Sequence, residues 1–156
     1  MKSPEFTVIP AITKEQLEKC LSIRLSVFCD EQGFSRDVES DEMDSIASHF
    51  LLFPSANSSE TSNAIGTARL FAYASDPTIA KIGRVAVLKE GRMKGAGTAL
   101  MTACELEARK QGGFRVAKLH SQCVAQKFYA SCGFVSEGEP FLEGGAPHIM
   151  MVKQLQ

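Results

Sequence analysis

The chain has 156 residues, 44% of them hydrophobic, and a formal net charge of −1. That length suits one globular domain over residues 1–156 with a sizeable core, and it leaves no room for a second. The near-neutral charge offers no basic field for nucleic acid, the N-terminus "MKSPEFTVIP" has no apolar signal core, and no run is long enough to span a membrane, so a soluble protein with neither partner is expected.

In chain order, residues 6–9 read as a short strand ending at Pro10. Thr13 and Gln16 have capping-box spacing and open a helix whose apolar stripe is Leu17, Cys20, Leu21, Leu25 and Phe28. Arg24 lies on that stripe, so an internal carboxylate or backbone carbonyls are its expected partners. The acidic stretch "DVESDEMD", residues 37–44, reads as a loop and a short helix, and residues 49–53 as a strand. The polar "PSANSSETSN" reads as a mobile hairpin connection, followed by strands at 64–73 and 79–88. A helix over 98–111 places Leu100, Ala103, Cys104 and Leu106 or Glu107 at core spacing and stops at Gly112 and Gly113. A strand at 115–121, a helix at 124–131 ended by Gly133, and a last β region including 148–152 complete the order β-α-α-β-β-β-α-β-α-β-β. This is an α/β chain (α+β mixed sheet) with helices on both faces and a parallel crossover around the helix at 98–111.

The segment Arg92-Met93-Lys94-Gly95-Ala96-Gly97-Thr98 lies between a strand pattern and a helix pattern. Its glycines let the backbone approach a pyrophosphate closely, and the helix behind it adds the positive end of its dipole. A dinucleotide fingerprint would need a third glycine where Leu100 stands, and a Walker loop would need Lys-Ser/Thr where the chain reads Gly97-Thr98. The R/Q-x-x-G-x-G/A pattern remains, and a loop that only turns the chain is the ordinary alternative.

"IGRVAVLKEGRMKGAGTALM" followed by "AQKFYASCGF" resembles the GNAT superfamily of acetyl-CoA-dependent N-acetyltransferases. "RLSVFCDEQGF", "DEMDSIASHFLL", "AIGTARLF" and "GGAPHIMMVK" are similar to its ElaA/YjcF-like branch, so the resemblance covers nearly the whole chain. It implies the acyl-CoA N-acyltransferase fold: a mostly antiparallel twisted sheet with a parallel pair of fourth and fifth strands. It also implies acetyl-CoA as co-substrate. Backbone groups at Val85, Ala86 and Val87 would hold the pantetheine arm, and Arg92 to Thr98 the pyrophosphate. Tyr129 matches the tyrosine that protonates the coenzyme A thiolate in many relatives, although a tyrosine packing beside Phe128 would look the same.

An alkylammonium acceptor must also lose a proton before attack. His120 is one candidate base, with a structural histidine as the equal alternative. Glu31, Asp41, Asp44 and His49 are weaker candidates, and a water relay could replace any of them. The resemblance places the segment after Phe28 in an acceptor wall, where Glu31, Asp41 and Asp44 would attract a cationic amine. A solvated charged loop is the plainer reading. The expected activity is transfer of acetyl to a primary amine of a small molecule or peptide. One alternative is glucosamine 6-phosphate, with Arg69, Arg84 and Lys118 as phosphate contacts; another is a non-catalytic acetyl-CoA-binding module. By resemblance, a homodimer often accompanies the fold.

No metal is expected, because His120, Cys123 and Cys132 lack a fourth ligand at any recognisable spacing. A His120–Cys123 nucleophilic pair has no visible orienting partner. Five cysteines, Cys20, Cys29, Cys104, Cys123 and Cys132, make an odd number without a C-x-x-C pair, which fits reduced thiols in a cytoplasmic or nuclear protein.

Overall fold

A computed structural model describes residues 6–36, 40–54 and 60–155. Seven strands form one sheet: β1 (Thr7–Ala11), β2 (Ser48–Phe53), β3 (Gly66–Ala72), β4 (Ile79–Val87), β5 (Val116–Gln122), β6 (Val135–Glu143) and β7 (Ala146–Gln154). Their spatial order is β1-β2-β3-β4-β5-β7-β6, and every neighbouring pair is antiparallel except β4 with β5. The mixed sheet with its parallel fourth and fifth strands is therefore the expected one. Pro10 lies inside β1 rather than ending it, opposite Phe50. An edge strand tolerates this, because a missing N–H on the open side breaks no ladder.

Thr13 and Gln16 form the predicted reciprocal cap, and helix α1 runs over Lys14–Arg24. It continues without a break into a wider π-helical stretch, Leu25–Glu31. The buried side chains are Cys20, Ile23, Arg24 and Val27, whereas Leu17 is 39% exposed. Of the predicted stripe, Cys20 is buried and Phe28 packs against the same cluster, Leu21 and Leu25 are half-buried, and Leu17 lies off the buried face. The second helix expected before β2 is a single 3-10 turn, Glu42–Ser45, capped reciprocally by Asp41 and Asp44. Residues 37–39, and residues 55–59 of the expected hairpin loop, lie outside the described residues.

Helix α2 covers Ala96–Gln111 and begins two residues before the predicted start. Its N-cap, Gly95, offers no side-chain acceptor, a deficit of only about a few tenths of a kcal/mol for glycine. Burial of Leu100 and Met101, each contributing about 1.5–3 kcal/mol, outweighs it. Leu106, expected at core spacing, is 63% exposed; Cys104 and Ala108 complete the buried face. Helix α3 (Gln126–Ser131) follows a 3-10 turn at Cys123–Ala125.

Strand alternation sorts the core into two layers. Leu52, Leu70, Ala80 and Ile82 face α2 and α3, in a cluster with Leu100, Cys104 and Phe134. Leu51, Phe53 and Ala86 face α1, packed on Cys20, Ile23 and Val27. Helices therefore cover both faces, but α1 reaches only β1 to β4 and leaves the β5 side of its own face open.

Candidate active site

The open region begins where two parallel strands separate. β4 and β5 pair through Ile79↔Val116, Ala80↔Ala117 and Lys81↔Lys118, and the ladder ends there. Beyond Lys81, β4 follows β3 and β5 follows β7, so the backbone of β4 past that rung has no strand beside it on the β5 side. One extra residue is inserted in β4 between the pairs Thr67↔Ala86 and Arg69↔Gly83. Arg84 occupies this bulge with φ +50°, left-handed backbone that costs a non-glycine residue of order 1–3 kcal/mol. The insertion also switches side-chain parity. Ile82 faces α2, yet Val85 and Val87 face it too, while Ala86 turns to the α1 layer.

A cavity of about 540 Å³ occupies the gap. Arg69, Lys81, His120 and Glu143 line it on the α1 face, and Val85 and Tyr129 line it deeper. Tyr129 packs edge-to-face on Phe128 at 5.0 Å and on Phe134 at 6.3 Å. Burial raises its pKa above that of an ordinary phenol, so the hydroxyl keeps its proton at neutral pH. His120 Nδ1 lies 2.8 Å from Glu143 Oε1. The Glu143 carboxyl is held below the usual range, chiefly by that bond. Glu143 Oε2 is 3.5 Å from Nε2 of the buried His148, whose Nδ1 donates to the Ala146 carbonyl at 2.8 Å. Lys81 and Glu143 were not singled out from the sequence. Neither belongs to a local motif, and both reach the cavity only through the pairing order of the sheet.

The acidic segment departs from its expected role. Asp41 accepts two bonds from Arg69 at 2.6 and 2.8 Å, and Arg84 approaches it at 3.4 Å. Asp44 accepts from Arg24 at 2.9 and 3.1 Å and from Arg69 at 2.8 Å. Arg24 and Arg69 are 2% and 4% exposed. Burial opposes the charge on Asp44, but its bonds with these arginines outweigh that and hold its carboxyl well below the normal range. Hydrogen bonds from Arg69 do the same for Asp41. Asp41 lines the cavity and Asp44 does not, and both carboxylates neutralise an internal ion-pair network, as anticipated only for Arg24. His49 Nε2 is 2.9 Å from the Asp44 carbonyl, which can only accept, so that nitrogen carries a proton and is no base toward the cavity. The expected phosphate contacts Arg69 and Arg84 share Asp41, and Lys118 bonds Glu137 at 3.2 Å.

The glycine loop has mixed roles. Gly95 has φ +96° and starts α2. At Gly97 an added Cβ would lie 2.8 Å from Phe128 Cζ, so the missing side chain admits α3 against α2, which gives this glycine a packing reason unforeseen from the motif. Arg92 is engaged by Glu31: its Nη1 and Nη2 bond the carboxylate at 2.6 and 2.5 Å, and its Nε bonds the Val87 carbonyl at 3.0 Å. Glu31, expected in the acceptor wall, thus lies against the loop instead of among the cavity-lining residues. Met93, Lys94 and Thr98 are exposed and Ala96 is buried. Among the described residues, no group of three or more His, Cys, Asp or Glu could hold a metal ion, and no helix is long and apolar enough to cross a membrane.

Residues 10–155 match the family model of the acetyltransferase (GNAT) domain. The chain belongs to the GNAT acetyltransferase family. Within the family it is ElaA/YjcF-like. It is 31% identical to the Bacillus subtilis protein YjcF, named an N-acetyltransferase, over 92% of this chain and 96% of that one. The crystal structure of Escherichia coli ElaA superposes with a TM-score of 0.78 at 26% identity, covering 96% of this chain and 99% of that one. A Lactobacillus plantarum structure, also named for N-acetyltransferase activity, reaches a TM-score of 0.83 at 32% identity, covering 97% and 99%. Family and fold together make this GNAT protein an acyl-CoA N-acyltransferase.

Proposed function

We propose that this protein transfers acetyl from acetyl-CoA directly to a primary amine in the cavity between β4 and β5. The observation that carries the reading is the parting of these strands after Lys81↔Lys118, with Tyr129 and the His120–Glu143 pair lining the same space. Backbone of β4 around Val85 to Val87, with no strand on its β5 side, offers hydrogen bonds to the pantetheine amides, the Val87 carbonyl once Arg92 releases it. The N–H groups opening α2 at Gly97 and Thr98, with the helix dipole behind them, suit the pyrophosphate. Arg92 reaches that phosphate by exchanging the Glu31 carboxylate for it.

With Nδ1–H donating to Glu143, His120 presents Nε2 as the acceptor for the ammonium proton. The freed amine attacks the thioester carbonyl carbon, the C–S bond breaks, and coenzyme A leaves as a thiolate. The buried Tyr129 hydroxyl, protonated at neutral pH, supplies the proton that makes it a thiol, and the second proton shed by the nitrogen as the amide forms reprotonates Tyr129. Release of free thiol from acetyl-CoA, and from longer acyl-CoAs, across a panel of small amines and peptides tests the assignment. Amine-dependent release, greatest with acetyl-CoA, is expected. Tight acetyl-CoA binding with no release for any amine would favour the non-catalytic module.

A further inference from the structure

Lys81 projects into the cavity from the last rung joining β4 to β5, opposite Phe71 on β3. Among the described residues no carboxylate lies within ion-pair distance of its ammonium; its recorded neighbour is the Tyr73 ring, 5.6 Å from Nζ to centroid. The nearby carboxylates are already engaged: Asp41 by Arg69, Asp44 by Arg24 and Arg69, and Glu143 by His120. Among the described residues, a cationic amine alone would find no carboxylate here that lacks a cationic partner. It would instead meet a second cation.

We propose that Lys81 is the anion-binding residue of the acceptor subsite, so that the amine acylated by this protein carries an oxyanion, a carboxylate or a phosphate, on the same molecule. This rests on the acyl-transfer reading above and names the class of acceptor it takes. Burial lowers the Lys81 pKa to about 8; Glu143 opposes that shift, and Arg84 and Arg69 add to it. The ammonium is thus poorly compensated within the protein, and an oxyanion from the ligand supplies what is missing. Phe71 beside it gives the carbon chain an apolar surface. An acceptor anchored here extends past Gly83 toward the gap, where His120 and Tyr129 lie.

The test compares matched pairs: β-alanine with ethylamine, phenylalanine with phenethylamine, and phosphoethanolamine with ethanolamine. For each, steady-state turnover with acetyl-CoA and the thermal shift of the coenzyme A-bound protein are measured in parent, Lys81→Gln and Lys81→Arg. At least one anionic member should stabilise the parent and be turned over with the lower KM; carboxylate and phosphate pairs tell the two oxyanions apart. Lys81→Gln should raise that KM about 10- to 100-fold with kcat largely kept, and Lys81→Arg should restore most of it. The uncharged-tail partner should be unaffected or improved.

Lys81-dependent stabilisation without turnover of any amine would uphold the anion site and count against acyl transfer. Preferred turnover of the uncharged-tail amines, absence of stabilisation by every anionic member, or an equal loss of kcat for both members in Lys81→Gln would overturn the proposal. The last result would make Lys81 a proton acceptor instead.

Discussion

Replacing Asp44 by Asn tests whether the acidic segment is structural. The Asp44 carboxylate, its side chain 23% exposed, accepts bonds from two guanidiniums whose side chains are 3% and 5% exposed. Arg69 would retain Asp41, but Arg24 would lose the Asp44 charge and the bond to the oxygen that becomes the amide nitrogen. Removing one carboxylate from such a buried ion-pair network costs about 3–5 kcal/mol, because the guanidinium charges are then less compensated. For a domain of this size each kcal/mol lowers Tm by roughly 2–4 °C, so Asp44→Asn should lower it by roughly 6–20 °C by calorimetry at pH 7. Replacing Arg24 by Met and Asp44 by Leu together should cost much less, since neither charge is then stranded.

The pH dependence has a definite sign. The folded-state carboxyls of Asp41 and Asp44 are depressed, so their contribution is fully present above the unfolded carboxylate pKa of about 3.9 and is lost as pH falls through the folded values. The gap between parent and Asp44→Asn should therefore narrow below about pH 4. A variant melting within about 2 °C of the parent at neutral pH would refute the network and restore the free acidic wall.

Tyr129→Phe removes a hydroxyl and little volume. It should lower kcat roughly 10²–10⁴-fold while calorimetry shows unchanged acetyl-CoA affinity; equal rates would leave Tyr129 as packing. Gly97→Ala should lose about 1–3 kcal/mol in urea unfolding by pushing on Phe128, with partial recovery in Gly97→Ala combined with Phe128→Leu; a neutral single variant would remove the close-packing reason for this glycine. Glu143→Gln should lower kcat more than it raises KM for a good acceptor, because the carboxylate orients His120 and is not assigned to hold the amine; a pure KM effect would place Glu143 in acceptor binding.

Features encoded within a few residues were legible in the sequence. The Thr13–Gln16 cap, the strand–loop–helix at Gly95 and Gly97, and the helix bearing Tyr129 all depend on local spacing, and all stand within two residues of where expected. The buried face of α1 was only partly legible, because Ile23 and Arg24 are buried where Leu17 is exposed, and packing against the sheet rather than hydrophobicity alone selects the face. The bulge at Arg84 has no glycine or proline at its own position to announce it. Pairings across long separations carried no signal: Glu31 with Arg92, Asp41 with Arg69, and His120 with Glu143 each need the folded sheet to bring them together. This is why residues grouped by sequence as one acidic wall divide, in the structure, between an ion-pair network and a loop latch.

In the proposed reaction acetyl-CoA lies in the gap between β4 and β5, with its pyrophosphate on the start of α2. Titrating ¹⁵N-labelled protein with acetyl-CoA and following amide chemical shifts reads this directly, residue by residue. The account predicts saturable shifts concentrated at Val85, Val87, Gly95, Gly97 and Thr98, with a further set at His120 and Tyr129 around the acetyl end, and little change along β1 and β6. Saturable binding that leaves the β4 bulge and the α2 N-terminus unshifted while moving another face of the sheet would contradict it.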